Sequence, residues 1–151
     1  VDPTHRLEML RLATEHNNCL KVFDFEIKNQ LGGETYHTVK RLEQDPLREN
    51  HRFFFIIGQD NANSFDKWFN FEYLQRMATF IVLKREGYEA SGDWYLKEPH
   101  LFINKTFMSK PVSSTLIRSL LTKERTPEEQ RLLEEIINPK VLKYIKEKNL
   151  Y

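Results

Sequence analysis

The chain has one cysteine, Cys19, in 151 residues. A lone thiol excludes an internal disulfide framework and a cysteine-built metal cage, and it fits a reducing, cytoplasmic setting. Charge of one sign is not in excess: 23 Lys and Arg stand against 22 Asp and Glu. That balance gives no electrostatic reason to expect a nucleic-acid or membrane surface, so any anion site must be local. No apolar run approaches the roughly 20 residues that span a bilayer, and nothing reads as a signal peptide. The histidines, His5, His16, His37, His51 and His100, form no close pair, and HExxH, GxSxG and Walker-type patterns do not occur. Repeats and low-complexity tracts are lacking too. What is present is a chain of one-domain length, 40% hydrophobic and so able to bury a core.

The chain is organised around residues 53–68. Phe53 to Ile57 is apolar without a break, as expected of a strand covered on both faces. It stops at Gly58, and Gln59, Asp60, Asn61 and Asn63 follow. Ligands of open α/β sheets lie beyond the carboxyl ends of the strands. Gly58 would admit a ligand close to the backbone, Asp60 would accept hydrogen bonds from a ribose or an amine, and Trp68 would offer a flat face to a ring. A core strand, a turn glycine, a capping aspartate and a core tryptophan account for the stretch equally well on pattern alone.

The rest of the chain alternates strands and helices. Asp2-Pro3 opens a helix over 3–16 with Leu7, Leu10 and Ala13 on one face. Leu20 to Ile27 alternates in part and reads as a strand. Residues 35–44 read as a helix with Val39 and Leu42 inward. Asn70 caps a helix with Phe71, Leu74 and Met77 inside, and Thr79 to Leu83 is a strand. Residues 84–99 form a polar turn and loop, 101–103 a short strand, and 104–112 irregular chain. Ser113 then begins a helix, Thr126-Pro127-Glu128-Glu129 is a capping box, and Asn138-Pro139 starts the last helix. This order predicts an α/β fold, a parallel sheet with crossover helices. Four strands are visible, and the 53–57 strand needs a partner on each side, because a greasy exposed edge would invite aggregation.

Two helix starts could take an anion. Ser113-Ser114-Thr115 offers first-turn N–H groups and hydroxyls to a phosphate, with Arg118 one turn further on. An ordinary Ser/Thr cap with a surface arginine explains the same residues. Thr35-Tyr36-His37-Thr38, after Gly32-Gly33, would present N–H groups to a carboxylate; a histidine there is otherwise a cap or surface residue.

Taken together and in order, these pieces resemble the bacterial nicotinate-nucleotide adenylyltransferases, within the HxGH-type nucleotidyltransferases. The resemblance covers nearly the whole chain. It is carried by residues 5–13, Glu34 to Val39, Ile56-Ile57-Gly58-Gln59-Asp60 with Phe65 to Trp68, Lys84-Arg85-Glu86-Gly87-Tyr88, Val112 to Arg118, and Val141-Leu142, Tyr144-Ile145 and Leu150-Tyr151 near the end. It implies a Rossmann-like nucleotidyltransferase domain over 1–151, with 113–151 as its helical C-terminal subregion. The implied reaction joins ATP and nicotinate mononucleotide to give the dinucleotide and pyrophosphate, in NAD biosynthesis. By position, Gly58 and Asp60 would line the nucleotide crevice, and Trp68 would stack on the pyridine. Thr35, Tyr36 and His37 would bind the nicotinate carboxylate through the backbone, and Arg85 would line the same pocket. Ser113, Ser114, Thr115 and Arg118 would hold the ATP phosphates, and Mg²⁺ would be held mainly by ATP oxygens and water.

His37 departs from the Thr usual in the family, which leaves a backbone contact intact. The GxFxPxHxGH motif of the family's first βαβ unit is not among these residues. The resemblance therefore implies a C-terminal portion that lacks its first strand, its phosphate loop and the two histidines, the N-terminal piece being removed or separate. Such a chain is expected to bind poorly and turn over hardly at all, since one lost transition-state donor commonly costs roughly 10²–10³ in rate. Other outcomes are a non-catalytic nucleotide-binding or assembly module, or another adenylyltransferase such as a phosphopantetheine enzyme. A homo-oligomer is a further possibility.

Overall fold

The computed structural model describes residues 1–105 and 112–151. In chain order the helices and strands are α1 (Pro3–Thr14), α2 (Phe25–Lys28), α3 (Thr35–Glu43), α4 (Leu47–Asn50), β1 (Phe54–Gly58), α5 (Gln59–Ala62), α6 (Phe71–Met77), β2 (Thr79–Leu83), β3 (Leu101–Ile103), α7 (Ser114–Thr122), α8 (Pro127–Ile136) and α9 (Pro139–Glu147). Single 3₁₀ turns lie at Phe65–Lys67 and Trp94–Leu96. The chain divides into two compact units, Lys28–Ser109 and Val1–Ile27 with Lys110–Tyr151.

The Lys28–Ser109 unit holds the sheet, in the order β1-β2-β3. Both pairings are parallel, with Ile56 beside Ile81 and Ile81 beside Leu101. Parallel neighbours need crossovers, supplied between β1 and β2 by α5, the 3₁₀ turn and α6. The core is aromatic: Phe65, Phe80, Tyr95, Val82 and Leu74 are buried, and Trp68 and Trp94 pack against them. Phe65 and Trp94 stack with ring centroids 4.2 Å apart.

Four sequence expectations fail here for identifiable reasons. Residues 20–27 are not a strand; they end in the short helix α2. Val22 and Phe23 already break the alternation, Leu20, Phe23 and Ile27 are exposed, and Phe23 stacks on Phe25 instead of entering a ladder. The described residues therefore hold three strands rather than four. The run at 53–57 is not covered on both faces: Phe54 and Ile56 are 49% and 66% exposed. The strand paired on both edges is β2, whose one face, Phe80 and Val82, is fully buried while Thr79, Ile81 and Leu83 on the other are half-buried. Met77 is exposed, and α6 instead turns Phe71, Leu74 and the following Ala78 inward.

In the other unit, Leu120, Leu133, Ile137 and Leu142 form a second core. Its helix starts follow the sequence closely. Thr126 and Glu129 make the reciprocal capping box, and Asp2, Ser113 and Asn138 each accept a first-turn N–H. Helix α1 turns a different face than expected: Leu10 is 54% exposed, while His5 is half-buried. The His5 ring nitrogen Nδ1 lies 2.8 Å from the Tyr144 hydroxyl on α9. Most of the stretch expected to be irregular, 104–112, lies outside the described residues.

Candidate functional site

β1 ends at Gly58 and the chain turns directly into α5. The Gly58 backbone is ordinary extended chain, φ −75° and ψ 156°, so conformation does not demand a glycine. Space is what is short: a Cβ there would lie 2.5 Å from Oδ1 of Asp60, whose side chain would have to swing aside. The Asp60 carboxylate is folded back against the strand end. Its Oδ2 accepts a hydrogen bond from Arg85 Nη1 at 2.7 Å, and its Oδ1 is buried without a hydrogen-bond partner. Arg85 follows β2, so Gly58, Asp60 and Arg85 meet at the carboxyl ends of two adjacent parallel strands, where α/β sheets bind ligands.

A second group forms around Trp68. Gly33, Glu34, Thr35, Lys67, Trp68, Phe69 and Leu74 line a hollow of about 490 Å³. Thr35 is the first residue of α3, and the side chain of its N-cap Glu34 makes no capping bond. Glu34 pairs instead with His37 Nε2 at 3.1 Å, while the His37 N–H donates to the Glu34 carbonyl at 3.0 Å. The expected donors at this helix end are thus reduced to the amides of Thr35 and Tyr36, because His37 uses its own within the turn. The rings of Tyr36 and His37 lie 5.2 and 5.9 Å from that of Phe69. Tyr36 also meets Tyr73 edge-on at 5.2 Å. The Tyr73 phenol donates to Glu43, and this bond, with burial, pushes its pKa up to about 12.

Ser113, Ser114, Thr115 and Arg118 belong to the other unit, at the start of α7. The Ser113 hydroxyl accepts from the Leu116 N–H at 3.1 Å, which occupies it as a cap. Ser114, Thr115 and Arg118 are exposed, so their polar groups are open to a ligand.

Comparison with known proteins adds lineage to this geometry. Residues 1–120 match the family model described as cytidylyltransferase-like. The nicotinate-nucleotide adenylyltransferase of Bacillus subtilis is 32% identical over 150 residues, spanning 99% of this chain and 72% of that protein. The chain belongs to the nicotinate-nucleotide adenylyltransferase family. A probable nicotinate-nucleotide adenylyltransferase of Aliarcobacter butzleri is 29% identical, covering 91% of this chain and 70% of its own. For the fold, the Plasmodium falciparum nicotinic acid mononucleotide adenylyltransferase complexed with APC superposes with a TM-score of 0.78 at 24% identity, over 100% of this chain and 76% of that one. The same enzyme complexed with NaAD gives 0.74. The parallel sheet with flanking helices is thus the Rossmann-like nucleotidyltransferase fold.

Within this adenylyltransferase fold, several residues near the two groups escape sequence reasoning. Lys67 and Phe69 flank Trp68 at the hollow, and their only signal is that adjacency. Gln59, inside the Ile56–Asp60 stretch but given no role there, is buried although polar, and Tyr95, which belongs to no motif, is fully buried. Among the described residues no three His, Cys, Asp or Glu side chains gather as a metal cage, and no helix there is long and apolar enough to cross a membrane.

Proposed function

We propose that this adenylyltransferase transfers the adenylyl group of ATP to nicotinate mononucleotide with release of pyrophosphate, its whole length forming one nucleotidyltransferase domain. Trp68 stacks on the pyridine ring, and the amides of Thr35 and Tyr36, at the positive end of α3, receive the nicotinate carboxylate. Asp60 accepts hydrogen bonds from a ribose. Ser114, Thr115 and Arg118 hold ATP phosphates, with the backbone of the Ser113-capped turn. Mg²⁺, held mainly by ATP oxygens and water, would supply charge neutralisation at the phosphates beside Arg118. The chain's own residues bind and orient; none of its five histidines lies in an HxGH motif, so little turnover is expected from these residues alone.

The observation that carries this proposal is that Thr35, at a helix start without a side-chain cap, and Trp68 line one hollow. An uncapped first turn suits a carboxylate, and an indole suits a flat heteroaromatic ring. Titrating nicotinate mononucleotide against its amide, with Trp94→Phe leaving Trp68 as the sole indole, tests it. The expected result is quenching by the acid, stronger than by the amide, with affinity lost several-fold in Trp68→Ala. Equal affinity of Trp68→Ala and its parent, measured by calorimetry, would remove the stacking role.

A further inference from the structure

Segment 85–95, which leaves β2, is tied to the short helix α5 by side chains at its start, middle and end. The Arg85 N–H donates to Gln59 Oε1 at 3.3 Å, and Gln59 Nε2 lies 3.5 Å from the Tyr95 hydroxyl. Tyr95 in turn donates to Asn63 Oδ1 at 3.1 Å. Asn63 accepts from the Ser91 N–H at 3.1 Å and donates to the Glu89 carbonyl at 2.7 Å. Trp94 Nε1 donates to the Ala62 carbonyl at 3.1 Å. Gln59 is 2% exposed and Tyr95 0%. A buried glutamine in an aromatic core costs stability unless both ends of its amide are satisfied. Here both ends face the segment that carries Arg85, next to the Asp60 ion pair.

We propose that Gln59, Tyr95 and Asn63 are positioning residues that hold Arg85 over Asp60 and so set the carboxylate's orientation for a nucleotide ribose. None of the three touches the ligand; they act through the path of the 85–95 segment. The inference rests on the reading of Asp60 as a ribose acceptor.

The test is a cycle. Gln59→Leu and Asn63→Ala are each made alone and together with Arg85→Ala. ATP is titrated by calorimetry, the thermal midpoint is recorded, and amide exchange is followed at Arg85 and Ser91. Gln59→Leu is expected to lower the midpoint slightly, since the Arg85 N–H loses its acceptor, to speed exchange at Arg85, and to weaken ATP binding about three- to tenfold, within the range of coupling in one network. Asn63→Ala is expected to do the same to exchange at Ser91 and to ATP. In the Arg85→Ala background both should change ATP affinity by less than about twofold. Losses of equal size in both backgrounds, unchanged exchange, or ATP binding that simply tracks the midpoint overturn the positioning role alone. Unchanged ATP affinity in Asp60→Ala overturns the reading of Asp60 and this inference with it.

Discussion

Gly58→Ala isolates the relation between the strand end and the carboxylate. The backbone at φ −75° accepts alanine, and replacing a compatible glycine stabilises a chain by roughly 0.4–1 kcal/mol through the unfolded state. The added Cβ, however, would stand 2.5 Å from Asp60 Oδ1, well inside van der Waals contact. The carboxylate must swing away, and its 2.7 Å pairing with Arg85 is lost. Both partners are partly exposed, so that pairing contributes at most about 1 kcal/mol. The obstacle is the movable end of a side chain, so an off-rotamer carboxylate adds about 0.5–1.5 kcal/mol. The net expectation is a destabilisation of roughly 0–2 kcal/mol by urea unfolding. With Asp60→Ala already in place the obstacle is gone, and Gly58→Ala should be neutral or mildly stabilising. The coupling between the two positions is then about 0.5–2.5 kcal/mol. An equal cost in both backgrounds would refute the claim that Asp60 is the reason for a glycine at 58.

Three further outcomes follow from other side chains. Tyr73→Phe removes the donor to Glu43, whose other oxygen Oε1 is already buried without a partner; a cost of roughly 1–3 kcal/mol is expected in chemical denaturation. His100 is buried, its Nδ1 accepts from the Phe80 N–H at 3.3 Å, and burial holds its pKa below the ordinary value. The unfolded chain therefore takes up the proton more readily, so the contribution is complete above about pH 6.5 and fades as pH falls below it. His100→Gln should flatten the stability profile in that acid window, and an unchanged slope would place the titration elsewhere. Thr126→Ala opens one side of the capping box on α8 and should cost about 1 kcal/mol by thermal unfolding.

The helix caps at Asp2, Ser113, Thr126 and Asn138 were legible because they depend on residues close in sequence, whereas the expected cap Asn70 sits in the left-handed region and its side chain makes no capping bond. Thr126 with Glu129, and Asn138 before Pro139, state their own geometry. The 53–57 strand was legible as a strand but not in its covering, because an unbroken apolar run reports hydrophobicity and not which elements lie beside it. The 20–27 segment failed for a related reason: apolar residues without strict alternation fix no ladder, and no partner strand claims them. In the site, the residue types at 58, 60, 68 and 85 were readable. The ion pair between Asp60 and Arg85 and the bonds from Gln59 and Asn63 were not, because each joins residues more than twenty apart in sequence. His37 shows the opposite limit, since its amide was expected to face a ligand but is taken by the carbonyl three residues back.

On the proposed reading of Asp60 as a ribose acceptor, its ion pair bears on how readily the carboxylate takes a ligand. A carboxylate with one oxygen on an arginine and the other buried without a donor is not at its electrostatic minimum. A ribose hydroxyl that donates to it gains a hydrogen bond to a charged group, about 1.5–3 kcal/mol. Arg85 need not leave, because Oδ2 has a second acceptor site that can take the hydroxyl beside the guanidinium. The pairing therefore orients the carboxylate without closing it. Had the Arg85 side chain been buried over Asp60 rather than 43% exposed, it would cover that oxygen and the pair would act as a lock. Its partial exposure is therefore what makes Arg85 compatible with binding, and burying it more deeply, with Tyr88→Trp beside its guanidinium, should weaken ATP binding rather than strengthen it.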